Sequence, residues 1–386
     1  MIPTDPAAEA ALSRLTIDLG AVRRNYRRLV ERLGGVPCAG VVKADGYGLG
    51  ADRVAPALWE AGCRVFFVAT LDEAVRLRPV VPDALLCCLN GLLPGTEAVF
   101  AGHCIVPVLN TLEQVDRWRG HGARLGRPLP AVLHVDTGMN RLGLGDDEWQ
   151  RVLETPGVLD GIEWQYLISH LAAADEPDNP MNATQFARFQ RIRQHLPRRM
   201  KASFANSSGI FLGADYHFDL ARPGVALYGG RPNAVDPNPM ECPVRVEGRI
   251  LQVRSLKAGE TVGYGGTWIT PREVRIATVA AGYADGYPRR LSSAGSVVLG
   301  GRVCPVVGRV SMDLITVDVS EVPPAEAAPG GFVEVLGPTV TPDHAADAAG
   351  TIGYELLTAL GRRYVRYYVD DHDEGCRRPA PRGREG

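Results

Sequence analysis

The sequence predicts a parallel (β/α)8 barrel, TIM-like, followed by a mainly antiparallel β domain. Three observations predict it. From residue 38 to residue 228, eight apolar runs alternate with amphipathic segments, the pattern of parallel strands covered by helices. Residues with chemical options, Lys43, Arg141, His170, Ser207 and Arg222, fall at or just past the C-terminal ends of different runs, where barrel enzymes build their sites. After about residue 240, Val-rich segments separated by Gly or Pro follow one another with few helices between them. A doubly wound sheet accounts for the alternation equally well; the placement of the chemistry favours the barrel.

Residues 20–33 set Val22, Tyr26, Leu29, Val30 and Leu33 at helical spacing. Strands are then expected at 38–43, 65–70, 84–89, 105–109, 130–136, 163–170, 201–206 and 218–228, with helices at 51–62, 71–78, 111–119, 147–154 and 183–196. The second domain should hold strands at 244–256, 274–281, 296–306, 314–320, 332–337 and 364–369, with one helix near 351–362. This divides the chain into a barrel over 13–240 and a β domain over 241–371. The charged, Pro- and Gly-rich tail over 372–386 reads as disordered.

A net charge of −2 gives no electrostatic reason to expect nucleic acid or an anionic membrane as partner. The eight cysteines form no CxxC pair and no zinc spacing, so no metal is expected, and several lie in apolar runs, which suits a reducing compartment. Residues 1–13 carry Asp5 and Glu9 and lack the basic and apolar regions of a signal peptide. No stretch approaches the roughly 18 apolar residues of a membrane span. The chain reads as cytoplasmic.

Lys43 closes the first apolar run and meets a glycine-rich turn at once. A lysine in such a low-dielectric mouth can lose its proton and act as a nucleophile. The chain has three lysines, Lys43, Lys201 and Lys257, among 42 Lys and Arg residues. A Lys at this strand end therefore invites a role that Arg cannot fill. Asn206-Ser207-Ser208-Gly209 and Arg222-Pro223-Gly224-Val225 offer the hydroxyls, N–H groups and close backbone approach that a phosphate needs.

Val42-Lys43-Ala44-Asp45-Gly46-Tyr47-Gly48 resembles the pyridoxal-phosphate attachment motif of the alanine racemases, and later motifs match in the same order from about Leu15 to Asp371. The resemblance implies a homodimer that interconverts L- and D-alanine with two bases on opposite faces of the substrate, supplying D-alanine for peptidoglycan. Lys43 would be one base. Tyr264, in Gly263-Tyr264-Gly265-Gly266-Thr267, would be the other, contributed by the partner subunit. Lys43, Tyr47, His170, Asn206, Ser207, Arg222, Gly224, Val225 and Tyr354 would bind the cofactor, with the Ser207 hydroxyl and the backbone of Gly224 and Val225 on its phosphate. His170 would lie beside the pyridine ring, hydrogen-bonded near Arg222. Arg222 would face the pyridine nitrogen; an arginine keeps its proton, which leaves that nitrogen unprotonated and favours proton return to Cα.

Asp136-Thr137-Gly138-Met139-Asn140-Arg141-Leu142-Gly143 and Ser311-Met312-Asp313 resemble two further family signatures. They imply that Arg141 and the Met312 N–H meet the substrate carboxylate and that Asp313 orients the tyrosine. Asp175, Tyr283, Arg290, Arg309 and Ile352, with Tyr354, match the substrate entrance. The resemblance also puts the strand near residues 15–19 in the β domain. One departure stands out. Seven residues before Arg141, many members carry a carbamylated lysine; here it is His134, so another group, such as a chloride, would brace Arg141. That departure keeps a serine or broad-specificity racemase open as the alternative. A decarboxylase of similar plan is disfavoured by Arg222, and a carrier without turnover by the presence of the whole β domain.

Overall fold

The computed structural model describes residues 10–197, 200–234 and 237–370. The tail over 372–386 lies outside the described residues. Two compact units emerge: Val22–Glu241, and a second that joins the chain up to Ala21 to the residues from Cys242 onward.

β1 (Ser13–Asp18) and α1 (Leu19–Leu33) open the chain. In the first unit, seven parallel strands run in sequence order: β2 (Gly40–Val41), β3 (Val65–Val68), β4 (Leu85–Cys88), β5 (Val106–Leu109), β6 (Leu129–His134), β7 (Ile162–Ile168) and β8 (Lys201–Ser203). The connections carry α2 (Ala51–Glu60), α3 (Leu71–Leu77), α4 (Glu97–Gly102), α5 (Leu112–Arg124), α6 (Asp146–Glu154) and α7 (Pro180–Gln194). β5 is buried at every residue, as expected of a strand covered on both faces. Phe66, Phe67, Leu86, Val108, Val132 and Leu167 fill the interior.

The eighth strand, expected over 218–228, is not there. The segment makes one isolated bridge, Ala221 to Cys38, and residues 225–228 form a 3-10 turn. The edges of the sheet are nonetheless joined through it. Asp219 and Arg222 donate N–H bonds to the Ala202 and Ala205 carbonyls, while Ala39 and Val41 donate to the Ala221 and Pro223 carbonyls. Pro223 has no N–H to extend a ladder, so the apolar run breaks into a turn.

In the second unit, an eight-stranded sheet is organised on the long β9 (Val244–Leu256), which pairs with β1 and two other strands. A two-residue pair follows, β10 (Thr261–Val262) with β11 (Trp268–Ile269). β12 (Val274–Val279), β13 (Ser296–Leu299), β14 (Arg302–Pro305), β15 (Ile315–Asp318) and β16 (Phe332–Leu336) are antiparallel to their partners. The single strand expected over 296–306 is a hairpin, because Gly300 and Gly301 take φ of 55° and 73° between β13 and β14. α8 (Pro342–Ala349) was not expected; the helix near 351–362 is the short α9 (Gly353–Thr358), and β17 (Val365–Val369) pairs in parallel with β1. Among the described residues, no helix is long and apolar enough to cross a membrane.

Candidate active site

Lys43 leaves β2 into a left-handed turn. Ala44, Asp45, Gly46 and Tyr47 take φ of 53°, 54°, 63° and 55°, and Gly48 follows at 83°. Each non-glycine residue there costs roughly 1–2 kcal/mol, so the surroundings must over-determine the turn. They do. The Gly46 and Gly48 N–H groups donate to the Val42 and Ala44 carbonyls at 2.9 and 2.8 Å. Asp45 Oδ1 accepts the Ala51 N–H at 2.9 Å, and Glu73 Oε1 accepts the Ala44 N–H at 2.6 Å. The half-buried Lys43 amine has its pKa lowered by burial first and by the Arg141 charge second, with Glu73 opposing.

Ser207 Oγ accepts the Gly224 N–H at 2.9 Å and the Ala226 N–H at 3.2 Å. A Cβ on Gly224 would stand 2.2 Å from the Tyr47 hydroxyl, so only glycine fits. Tyr47 stacks on Tyr228 with ring centroids 4.6 Å apart, and the Tyr228 hydroxyl donates to the Val41 carbonyl at 3.0 Å. Tyr47, Ser207 and Gly224 thus converge on one small region. Val225 opens the 3-10 turn, so its N–H has no acceptor within it. Asn206 Oδ1 accepts the Gly209 N–H at 2.8 Å and shapes this loop.

Arg222 is buried and fixed. It donates to Ser203 Oγ and to the Ser169 carbonyl, and burial lowers its pKa to about 10, which leaves it a cation near neutral pH. Among the described residues no hydrogen bond joins it to the His170 ring, which the resemblance had linked to it; Ser203 and Ser169 take its donors. Burial first and the Arg222 charge second hold His170 well below the usual histidine range, so its ring is neutral.

Arg141 rides on a loop closed by a bridge between Val135 and Leu144. The Asp136 carboxylate pins that loop through the Gly138, Met139 and Asn140 N–H groups at 2.8 to 2.9 Å. The Arg141 side chain itself is exposed. His134 ends β6, with Nδ1 2.7 Å from Asn110 Oδ1. Asn110 Nδ2 donates to the Leu89 and Val108 carbonyls, so Oδ1 is the acceptor and His134 carries its proton on Nδ1. Burial first, then the Arg222 charge, lowers the His134 pKa to about 3. The unfolded chain therefore binds a proton below about pH 6.5 that the folded chain refuses, and stability falls as pH drops through that window. His134→Gln, which keeps a donor for Asn110, should flatten the loss of thermal midpoint between pH 6.5 and pH 4; an unchanged slope would clear His134.

The other expected residues, apart from Asp175, lie in the second unit. Tyr264 is 71% exposed and projects from a turn in which Gly263 and Gly265 take φ of 76° and 73°. A Cβ on Gly265 would stand 3.2 Å from an Arg309 guanidinium nitrogen, so Arg309 lies along this turn. Met312 is 53% exposed, and its N–H donates to no described residue. Asp313 is tied by Arg363, at 2.7 Å, to a cation that also reaches buried Asp285 at 3.2 Å. Tyr283 and Arg290 line a cavity of about 380 Å³. Ile352 and Tyr354 are exposed at the start of α9. Asp175 belongs to the first unit, on the exposed loop after β7.

Four supporting residues escaped the sequence reading. Glu73, Asn110 and Arg363 act through long-range bonds. Fully buried Gln185 of α7 joins the Arg141 loop to the His170 backbone through Thr137 Oγ1 at 3.2 Å and the His170 carbonyl at 2.9 Å. Only Glu73 had a local signal, the Thr70-x-x-Glu73 capping box at the start of α3.

An amine of lowered pKa, a fixed buried cation and a cradle of hydroxyls and N–H groups are chemically suited to an enzyme that takes a phosphorylated carbonyl ligand. Residues 17–232 match the family model described as alanine racemase, N-terminal domain, and residues 243–368 its C-terminal domain. The chain is 48% identical over 369 residues to a protein of Agrobacterium fabrum named alanine racemase, catabolic, covering 95% of both. It is 50% identical over 374 residues to the alanine racemase of Brucella abortus, covering 93% of this chain and 94% of the relative. Its fold superposes with a TM-score of 0.89 on the alanine racemase of Bartonella henselae with covalently bound pyridoxal phosphate, at 41% identity, covering 93% of this chain and all of that one. The chain belongs to the alanine racemase family.

Proposed function

We propose that this chain is a pyridoxal-phosphate-dependent alanine racemase that works as a homodimer. The observation that carries the proposal is the convergence at one barrel mouth of Lys43, Arg222 and the Tyr47–Ser207–Gly224 cradle. The cofactor fits these residues: the close backbone approach allowed at Gly224 and the Val225 N–H, which donates to no described residue, suit a phosphate, and Arg222 suits a ring nitrogen that accepts a hydrogen bond. When bound, it supplies an electron-withdrawing ring that acidifies the substrate Cα–H. Lys43 Nζ takes or returns that proton on one face, and the hydroxyl of Tyr264 of the partner subunit does so on the other. Arg141 and the N–H of Met312 of the partner subunit hold the substrate carboxylate. Asp175, Tyr283, Arg290, Arg309, Ile352 and Tyr354 form the entrance and exclude larger side chains.

L-Alanine in D2O with the purified protein tests this. Optical rotation should fall to zero as deuterium enters at Cα, with L-serine far slower. Rotation that holds without exchange would overturn the racemase reading. The second reading, a racemase of broader range, draws on His134: a neutral imidazole beside Arg141 changes how that arginine is held. Serine turned over as fast as alanine would favour it.

Gly224→Ala should weaken the cofactor by roughly 1–3 kcal/mol, about 5- to 150-fold in Kd, because the new Cβ displaces the Tyr47 hydroxyl. A fluorescence titration of the apoprotein reads it, and an unchanged Kd would remove Tyr47 and Gly224 from the cradle. We further propose that the enzyme is cytoplasmic and supplies D-alanine for peptidoglycan. Deletion should then create a D-alanine requirement for growth; growth without it would favour the catabolic role carried in the name of the Agrobacterium fabrum relative.

A further inference from the structure

We infer that Glu73 is a positioning residue for Lys43: its carboxylate ties the cap of α3 to the amide that follows Lys43 and so holds the left-handed turn from which the amine is aimed. The inference rests on Lys43 being the reacting amine. Three backbone amides share the carboxylate. Oε1 accepts the Ala44 N–H at 2.6 Å, and Oε2 accepts the Ala69 and Thr70 N–H groups at 2.8 and 3.2 Å. Ala69 and Thr70 directly follow β3, the strand paired with β2, so the carboxylate bridges two neighbouring strand ends at the mouth.

A helix cap alone needs only the Thr70 amide and the reciprocal bond from the Glu73 N–H to Thr70 Oγ1, at 3.3 Å. The bond to Ala44 lies outside that motif, 29 residues away in sequence. It falls on the first residue of the turn with positive φ, where the backbone departs from β2 and Lys43 is directed. An amide left unpaired there would let Ala44 return to the favoured right-handed region and swing Lys43 with it. Glu73 also opposes Arg141 in setting the Lys43 charge, with burial as the larger influence and the neutral His170 ring close by.

Glu73→Gln and Thr70→Ala separate positioning from capping. Glu73→Gln should lower kcat about 10- to 100-fold, the scale of a displacement near 1 Å, whereas Thr70→Ala should stay within about twofold. In ligand-free protein, the peptide spanning residues 43–50 should exchange amide hydrogens about tenfold faster in Glu73→Gln than in the parent or Thr70→Ala. Acetic anhydride should acylate Lys43 of the Glu73→Gln apoprotein faster than that of the parent, since one anion facing the amine is gone. A merely structural cap would instead slow both variants together, in step with their melting temperatures, and that result overturns the inference. So would parental turnover and exchange in Glu73→Gln. Should Glu73→Gln not fold, Glu73→Asp keeps the charge but shortens the reach, so kcat should fall while acylation stays parental. A parent protein that leaves alanine unchanged would sink the assignment of Lys43 alone; the exchange of the 43–50 peptide still decides whether Glu73 holds the turn.

Discussion

Lys43→Ala should abolish racemisation, with a loss of about 10⁴-fold or more, because in the proposed reaction one side chain both tethers the cofactor and moves a proton. Lys43→Arg should fare no better. A guanidinium does not give up its proton near neutral pH and cannot add to a carbonyl. In the parent, borohydride should fix pyridoxal phosphate to the peptide containing Lys43; in either variant it should label nothing there. The ligand-free protein gives a second check. Burial and Arg141 both favour the neutral amine, so the pH at which Lys43 of the apoprotein becomes reactive toward acetic anhydride should lie below the ordinary lysine range. A Lys43→Ala enzyme that kept a tenth of the parental rate would overturn the assignment.

Most of the barrel was legible because several strands are short, fully apolar runs followed by a turn, as in Val65-Phe66-Phe67-Val68 and Leu85-Leu86-Cys87-Cys88. The segment over 218–228 is also rich in apolar residues, yet Pro223 lacks the N–H that a ladder needs, and only Ala221 bridges a neighbour. α4 was missed because its six residues end on Gly102 and hold too few turns for a period to emerge. α8 was missed although its signals were present: Thr341 accepts the His344 N–H, Pro342 opens the helix and Gly350 ends it at φ 68°. Its alanines, small and half apolar, blurred the stripe that would have drawn notice.

The candidate site was legible unevenly, and for a physical reason. Lys43 follows a strand end, and Ser207, Arg222 and Gly224 lie in turns past the last strand of the sheet, where residue type and position together suggest chemistry. Asn110, Gln185 and Arg363 act through bonds to partners 24, 48 and 50 residues away. Such bonds follow no period, so nothing local announces them. His134 was conspicuous in sequence only as a departure from the family pattern. Its fixed tautomer comes from Asn110, and its low pKa from burial first and the Arg222 charge second. A neutral His134 also bears on how Arg141 is held: the imidazole offers an uncharged Nε2 acceptor, whereas a carbamate would offer a charge.

Mixing two inactive variants should restore activity. Tyr264→Phe should lower racemisation by about 10²- to 10⁴-fold, since the hydroxyl proposed to move the second proton is gone while Lys43 remains. Deuterium should still enter at Cα of one enantiomer without loss of rotation, because one base returns the proton to the face it left. Tyr264 is 71% exposed on its own chain, an unusual state for a side chain that must exclude water from a proton transfer, and this supports a role completed by a second subunit. If each site takes Lys43 from one chain and Tyr264 from the other, Lys43→Ala and Tyr264→Phe subunits co-expressed and randomly paired give heterodimers with one intact site. Half the dimers are then half active, so about a quarter of parental activity should return. Tyr264 acting on the Lys43 of its own chain predicts no recovery at all, since every chain would carry one lesion in its own site. Recovery near a quarter would establish both the dimer and the two bases; its absence in a pool shown to hold heterodimers would leave the second proton to a group on the same chain.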